Sequence, residues 1–475
     1  MGQKIKVEEI CAATDTPVTG DSIKYTKSEP GEIYGDKLCL ERNSLLTDIY
    51  YSKHGFSMSK MVVVFLMAYI IKEITLHMMG IQEFDLAFDL LLWNFGGLGT
   101  IIVYWLGIFS STVAYYYAFY FWATERRKFQ KLGKKQHLIE KWDSYFLLFM
   151  VVYMLTFLFG PCYFLMQKNL PVASTMIVLF EQVRFSMKKY AFSRTTIPKL
   201  MKNCGDEEFA KCFPDISHYT YFLFVPTLIY RSHYPRKSHI DWNVVIWNFT
   251  SFAAMMVIWA TIFKHYISPK YQNFTPENMS LKVLASSIIH TTIPMLMLHL
   301  TSFYLLLHCW MNGFAELMHF PDRLFYKDWW ACTDFSTFFR TWNVLVGDWL
   351  YVYIYQDVAA LSAVKDKDTK KYRNRPMIPR MAVFTVSAFF HEYIIAGGLK
   401  FLYPIQFIMF AGIGGMMTSY VKTKGDFCNM MMIFSLGLGD AILFALYCNE
   451  WYARKVCPMQ LDPVMDFITP RSWFC

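Results

Sequence analysis

Apolar residues in this 475-residue chain gather in long runs separated by short polar breaks, a spacing unlike that of an amphipathic surface helix or an alternating strand. The hydrocarbon core of a bilayer takes about 20 apolar residues per helix. Nine stretches fit that window: 58–80, 92–122, 144–167, 171–188, 243–264, 283–311, 380–402, 404–421 and 429–450. The pattern therefore predicts an all-α polytopic membrane protein. A further apolar piece, Tyr219–Tyr230, is too short to cross and carries Pro226 near its centre, so it is expected along the interface or as a re-entrant turn. Residues 1–55 are polar, mixed in charge and without a strong helical period, and read as a flexible tail ahead of one membrane domain over 56–475. Within that domain, 313–379 reads as an interfacial segment and 451–475 as a terminal segment. The amino terminus lacks the apolar core and cleavage site of a signal peptide. Lys6 stands where a myristoylation site wants Ser or Thr, so the first span is expected to direct insertion.

Composition strengthens the membrane reading: 55% of residues are hydrophobic and only 17% charged, against about 25% charged in a soluble domain. The formal net charge of +9 does not point to nucleic acid, because the basic residues sit mainly in loops beside spans. Topology and anionic headgroups account for them. Residues 124–141 and 365–380 each hold seven Lys or Arg and are expected on the cytosolic side, whereas 77–85 and 268–280 are nearly free of them. Asn273 and Asn278 begin acceptor sequons in the second of these sparse loops, which agrees with a luminal placement. A third sequon, at Asn248, falls inside a span. Nine spans from a cytosolic amino terminus leave the last residues in the lumen, where Cys457 and Cys475 would be free to pair. The other cysteines show no CxxC spacing and read as buried thiols.

Chemistry concentrates in two places. His391 and Glu392 stand side by side near the middle of the seventh span, where a charge costs about 2.5 to 3.5 kcal/mol and usually marks a functional path. The plainer alternative is a neutral histidine bonded to a neighbouring helix. Ser387 lies one turn earlier, placed to orient the ring or line the same space. The segment Pro321–Val358 packs twelve aromatics around Asp328, Arg340, Asn343 and Asp348, and is expected as amphipathic helices at headgroup level. Arg340 and Asn343, three residues apart, would share a helical face. Two other strings carry less: Gly437-Leu-Gly-Asp-Ala441 lacks the strand context of a dinucleotide loop and reads as close helix packing, and Glu316 with His319 lacks a further metal ligand.

Phe325-Tyr-Lys-Asp-Trp-Trp330 resembles the FYxDWW signature of sterol O-acyltransferases, within the membrane-bound O-acyltransferase family. Phe180-Glu-Gln-Val-Arg-Phe185, Phe222–Arg231, Tyr234-Pro-Arg236, Arg340-Thr-Trp-Asn343, His391-Glu-Tyr393, Glu450-Trp-Tyr-Ala-Arg454 and Pro470-Arg-Ser-Trp473 extend the likeness to the carboxyl terminus. The resemblance implies a nine-helix bundle enclosing a reaction chamber, self-association as a dimer or tetramer, and residence in the endoplasmic reticulum. It also implies transfer of a long-chain acyl group from acyl-CoA to a sterol hydroxyl. His391 then matches the catalytic histidine and Asn343 its partner, with Ser387, Trp342 and Glu392 in support. Arg340, Tyr355, Trp329 and Trp330 fall near the coenzyme, and Cys457 and Cys475 match a luminal disulfide.

The chemistry is coherent without the family name. A sterol hydroxyl needs a base to attack a thioester, help worth about 10² to 10⁴ in rate, and an amide donor at the developing oxyanion is worth about 2.7 to 4 kcal/mol. No cofactor is called for, since acyl-CoA is a substrate. Three departures from the family pattern touch the coenzyme side and a nearby loop: Ala331 in place of Asn, Gly347 in place of His, and a longer connection from Asn343 to His391. The alternatives are an acyltransferase for diacylglycerol or another lipid alcohol, and a lipid transporter, which would be expected to show related halves.

Overall fold

The computed structural model describes residues 39–52, 71–72, 74–81, 85–201, 213–272, 275, 280–362, 364–365, 372–373, 377–459 and 461–473. Residues Arg42–Cys475 form one compact unit. Seven long helices build it: α1 (Leu98–Lys131), α2 (Gln136–Met166), α3 (Val172–Met201), α4 (Trp242–Ile262), α5 (Leu281–Phe303), α6 (Met377–Leu399) and α7 (Asp426–Val456). Among the described residues the strand structure is a short antiparallel pairing, Val364 with Arg373 and Lys365 with Tyr372, and an isolated bridge between Arg42 and Asp322.

Six of these helices are long and apolar enough to cross a bilayer: α1, α2, α4 and α5 with their continuations, α6 and α7. The expected first span, 58–80, lies largely outside the described residues. The expected fourth is present as α3, but buries Gln182, Lys188 and Lys189 among its apolar residues, so its composition does not meet that standard. The expected eighth appears as Ile405–Tyr420, in which a π-helical stretch, Ile408–Gly414, joins two short α-helical pieces. The helical membrane architecture holds, and the count of nine is not established. α5 continues through a π-helical turn, Tyr304–Trp310, into Met311–Leu317. Such turns commonly mark functional sites within helices.

Two expectations about individual segments change. The expected tail ends at residue 55, yet packing begins at Arg42, whose Nε donates to Asp322 Oδ1 at 2.7 Å, and Ser44 is 1% exposed. Polar anchors of this kind leave no mark in a hydropathy profile. The aromatic segment 321–358 is not simply a headgroup anchor, because Phe325, Tyr326 and Trp329 are at most 1% exposed. They wedge against α5, with Phe303 lying 4.8 Å from Tyr326 and 5.1 Å from Trp329 between ring centres.

The motifs that carry the resemblance act largely as clasps. Glu181 pairs with Arg184 at 2.6 Å, and Lys188 reaches the carbonyls of Phe222 and Val225 at 2.5 and 2.8 Å. At the far end Glu450 accepts from Ser472 N and Oγ at 3.0 and 2.7 Å, while Asp466 pairs with Arg454 and Arg471 at 3.0 and 2.6 Å. EWYAR and PRSW thus hold one another. Cys457 is disulfide-bonded, and Cys475 lies outside the described residues.

Candidate active site

His391 lies on α6, and its setting follows from the helix period. Phe384, Ser387, Ala388 and Ile394 share its face and are all at most 8% exposed, whereas His391 itself is exposed. An open side chain in the middle of a buried face borders an internal space rather than lipid. Its Nδ1 stands 2.7 Å from the Ser387 carbonyl oxygen. A carbonyl can only accept, so Nδ1 carries the proton and the neutral ring presents Nε2 with a free lone pair. The sequence points to Ser387, and the contact runs through its backbone rather than its hydroxyl.

Glu392 faces away from that space. Its carboxylate accepts from Tyr447 Oη at 3.0 and 3.1 Å and from Phe407 N at 3.1 Å, tying α6 to α7 and to the Ile405–Phe407 turn. Tyr393 stands 2.7 Å from the Leu158 carbonyl and 2.8 Å from Gln182 Oε1, which fixes α6 against α2 and α3. The two residues that follow the histidine are thus committed to holding the helix.

Asn343 begins the helix Val344–Leu350, and its Oδ1 accepts from Val346 N at 3.2 Å as the N-cap. With the oxygen engaged in the cap, the Nδ2 amine is the end left to donate to a ligand. No hydrogen bond joins Asn343 to His391 among the described residues. A row of rings runs between their surroundings: Trp342 to Phe338 at 5.5 Å, Phe338 to Phe339 at 5.5 Å, Phe339 to Phe410 at 5.1 Å, and Phe410 stacked on His391 at 5.1 Å.

The residues expected near a coenzyme divide. Arg340 is exposed, and its Nε donates to the Ser336 carbonyl at 3.0 Å. Tyr355 is half-buried and stacks on Tyr351 at 5.4 Å. Trp330 is half-buried, with its carbonyl accepting from Asn429 Nδ2 at 2.8 Å, whereas Trp329 is enclosed. Asp328 is exposed and Tyr326 Oη lies 2.7 Å from His308 Nδ1. Of the three departures, Ala331 is exposed, a Cβ added at Gly347 meets no atom within 4 Å, and the longer connection lies partly outside the described residues. Sequence reasoning missed His299 and Asp440, which pair at 2.8 Å between α5 and α7. An ionisable residue in an apolar run was the available signal for each, the same one that picked out His391.

The chain as a whole has relatives among known proteins. A family model described as MBOAT, membrane-bound O-acyltransferase family, matches residues 210–448. The chain is 35% identical over 442 residues to sterol O-acyltransferase 1 of Chlorocebus aethiops, covering 92% of this chain and 78% of that protein. It is 36% identical over 442 residues to sterol O-acyltransferase 2 of Homo sapiens, with 92% and 80% covered. Against sterol O-acyltransferase 2 of Rattus norvegicus it is 36% identical over 460 residues, with 96% and 83% covered.

The chain belongs to the membrane-bound O-acyltransferase family.

The match takes in every site residue just described apart from those on α1 to α3, together with the aromatic segment and most of α7. The similarity to the curated relatives extends well beyond it on the amino-terminal side, where α2 and α3 brace α6. The helix that carries His391 packs against segments far apart in sequence, which only the assembled bundle brings together.

Proposed function

We propose that this protein is an acyl-CoA-dependent sterol O-acyltransferase of the endoplasmic reticulum membrane, with a cytosolic amino terminus, a luminal carboxyl terminus and a homo-oligomeric (dimeric or tetrameric) assembly. The observation that carries the reading is His391: a neutral imidazole whose Nδ1–H is given to Ser387 and whose Nε2 opens on an internal space of the bundle. A sterol hydroxyl hands its proton to Nε2 as its oxygen attacks the thioester carbonyl. Charge develops on the carbonyl oxygen, and the Asn343 amine, turned outward by its cap, donates to it. The tetrahedral adduct expels the coenzyme A thiolate, the imidazolium returns the proton to sulfur, and steryl ester and free coenzyme A result. The thioester is already activated, so the step asks for no cofactor.

Arg340 and Tyr355 are assigned to the coenzyme, Arg340 through its terminal guanidinium nitrogens. Trp330 serves on that side and Trp342 lines the route to Asn343, while Phe325, Tyr326 and Asp328 shape the segment. Cys457 and Cys475 are assigned as the luminal disulfide. The apolar rings around His391 exclude water, which would otherwise take the acyl group.

The test is acyl transfer from labelled oleoyl-coenzyme A in membranes of acyltransferase-deficient cells, offering cholesterol or diacylglycerol, with wild type beside His391→Ala. Steryl ester from wild type and a loss of 10² to 10⁴ in the variant is the expected result. Triacylglycerol alone would assign another acceptor, and equal product from both proteins would remove His391 from the reaction.

A further inference from the structure

Between α5, α7 and the aromatic segment lies a second polar arrangement that the acyl-transfer steps do not use. The two helices approach closely at Gly437, where an added Cβ would come within 2.9 Å of Leu296 Cβ and 3.1 Å of the Thr292 carbonyl. One turn further along each helix, His299 and Asp440 face one another, with Nδ1 and Oδ2 2.8 Å apart. The carboxylate accepts from Nδ1–H, fixes the tautomer and leaves Nε2 as an acceptor.

The His299 ring lies 4.4 Å from Trp342 and 5.7 Å from Trp329, and Phe303 closes the cage at 5.3 and 5.1 Å from those indoles. Two nitrogens in this cage, His299 Nε2 and Trp329 Nε1, are buried with no hydrogen-bond partner among the described residues. Trp329 is 1% exposed, so its N–H is turned into the protein. Buried polar atoms are rarely left unmatched, and two in one ring-lined cage, one an acceptor and one a donor, are matched by a ligand group that donates and accepts at once.

We infer that His299 and Trp329 form a binding site for the hydroxyl of the acceptor lipid, held there before it passes to His391. This rests on the proposed acyltransferase reading. A hydroxyl gives its proton to Nε2 and takes a hydrogen bond from Nε1–H, and the surrounding rings suit a rigid apolar body. The other donor-and-acceptor group available is an amide of the coenzyme's pantetheine arm, but that arm carries two amides and a hydroxyl, more than two nitrogens can match. The site adjoins the surroundings of His391: Asn343 follows Trp342 directly, and the row of rings from Trp342 through Phe338, Phe339 and Phe410 ends on the His391 imidazole.

The test is steady-state transfer by the full chain in membranes with acceptor and acyl-CoA varied separately, together with equilibrium binding of labelled cholesterol to the detergent-purified protein. Replacing His299 and Asp440 together by leucine removes both groups and leaves no stranded carboxylate. The expected result is a KM for sterol and a Kd for cholesterol each raised about tenfold, the loss of one hydrogen bond, with kcat and the KM for acyl-CoA little changed. His299→Gln, which keeps a polar end at that reach, should recover most of the affinity. A change confined to the KM for acyl-CoA would assign the cage to the pantetheine arm, and unchanged values throughout would make it structural; either overturns the inference. If no lipid alcohol is esterified by wild type, the acyltransferase reading falls, while the binding measurement still decides whether the cage holds a sterol.

Discussion

An asparagine that caps a helix has committed one half of its amide, and at position 343 this separates structure from chemistry. The cap uses Oδ1 and the proposed oxyanion contact uses Nδ2. Aspartate caps about as well as asparagine but has no amine to donate. Asn343→Asp is therefore expected to keep the thermal midpoint of the purified protein within error while lowering kcat by about 10² to 10³. Asn343→Ala, losing both, should fall in each measurement. The candidate residue His391 was legible because an ionisable group in an apolar run stands out on cost alone. The cap was not, since it depends on a helix beginning at Val344 within a segment whose aromatics obscure any period. Nor was the pairing of His299 with Asp440, which are 141 positions apart.

At the scale of elements, one glycine of a Gly-x-Gly pair sits at a tight point of the contact between α5 and α7. Gly437 has no room for a methyl group, whereas a Cβ at Gly439 meets nothing within 4 Å. Gly437→Ala is expected to destabilise the protein by about 1 to 3 kcal/mol through overpacking. Gly439→Ala should be neutral or stabilise it by up to about 1 kcal/mol, through helix propensity. Thermal unfolding of the two variants in detergent reads the difference. The sequence reading of this stretch as close helix packing anticipated the contact, though not which glycine makes it. The positions of the described spans were legible, because the bilayer imposes length and apolarity together, but several ends were not: α2 begins eight residues before 144 and α3 runs thirteen past 188. α1 runs nine residues past its expected end at 122, to Lys131, since helix continues wherever backbone bonds and polar partners allow, not only in hydrocarbon. The π-helical joint in Ile405–Tyr420 left no trace in composition.

At the scale of the whole molecule, the carboxyl-terminal segment is fastened back onto α7 by charge. Arg471 and then Arg454 beside Asp466 hold its carboxyl below the usual range. A carboxyl lowered on folding contributes stability that is full above its unfolded pKa of about 3.9 and is lost as the pH falls through the folded value. The segment is thus expected to stay protected from limited proteolysis in detergent from pH 7 down to about 4 and to be released below that. Asp466→Asn should show weaker protection already at pH 7, with little further loss below about pH 4.

The buried lysine of α3 bears on how the chain is made. Lys188 is 1% exposed and gives its protons to carbonyls 34 and 37 positions later, at Phe222 and Val225. As the ribosome works from the amino terminus, that lysine emerges before either acceptor exists. α3 therefore cannot settle into its final place by apolarity alone as it is synthesised; its ammonium must stay hydrated, or neutral, until the turn after Phe224 has followed it into the assembling bundle.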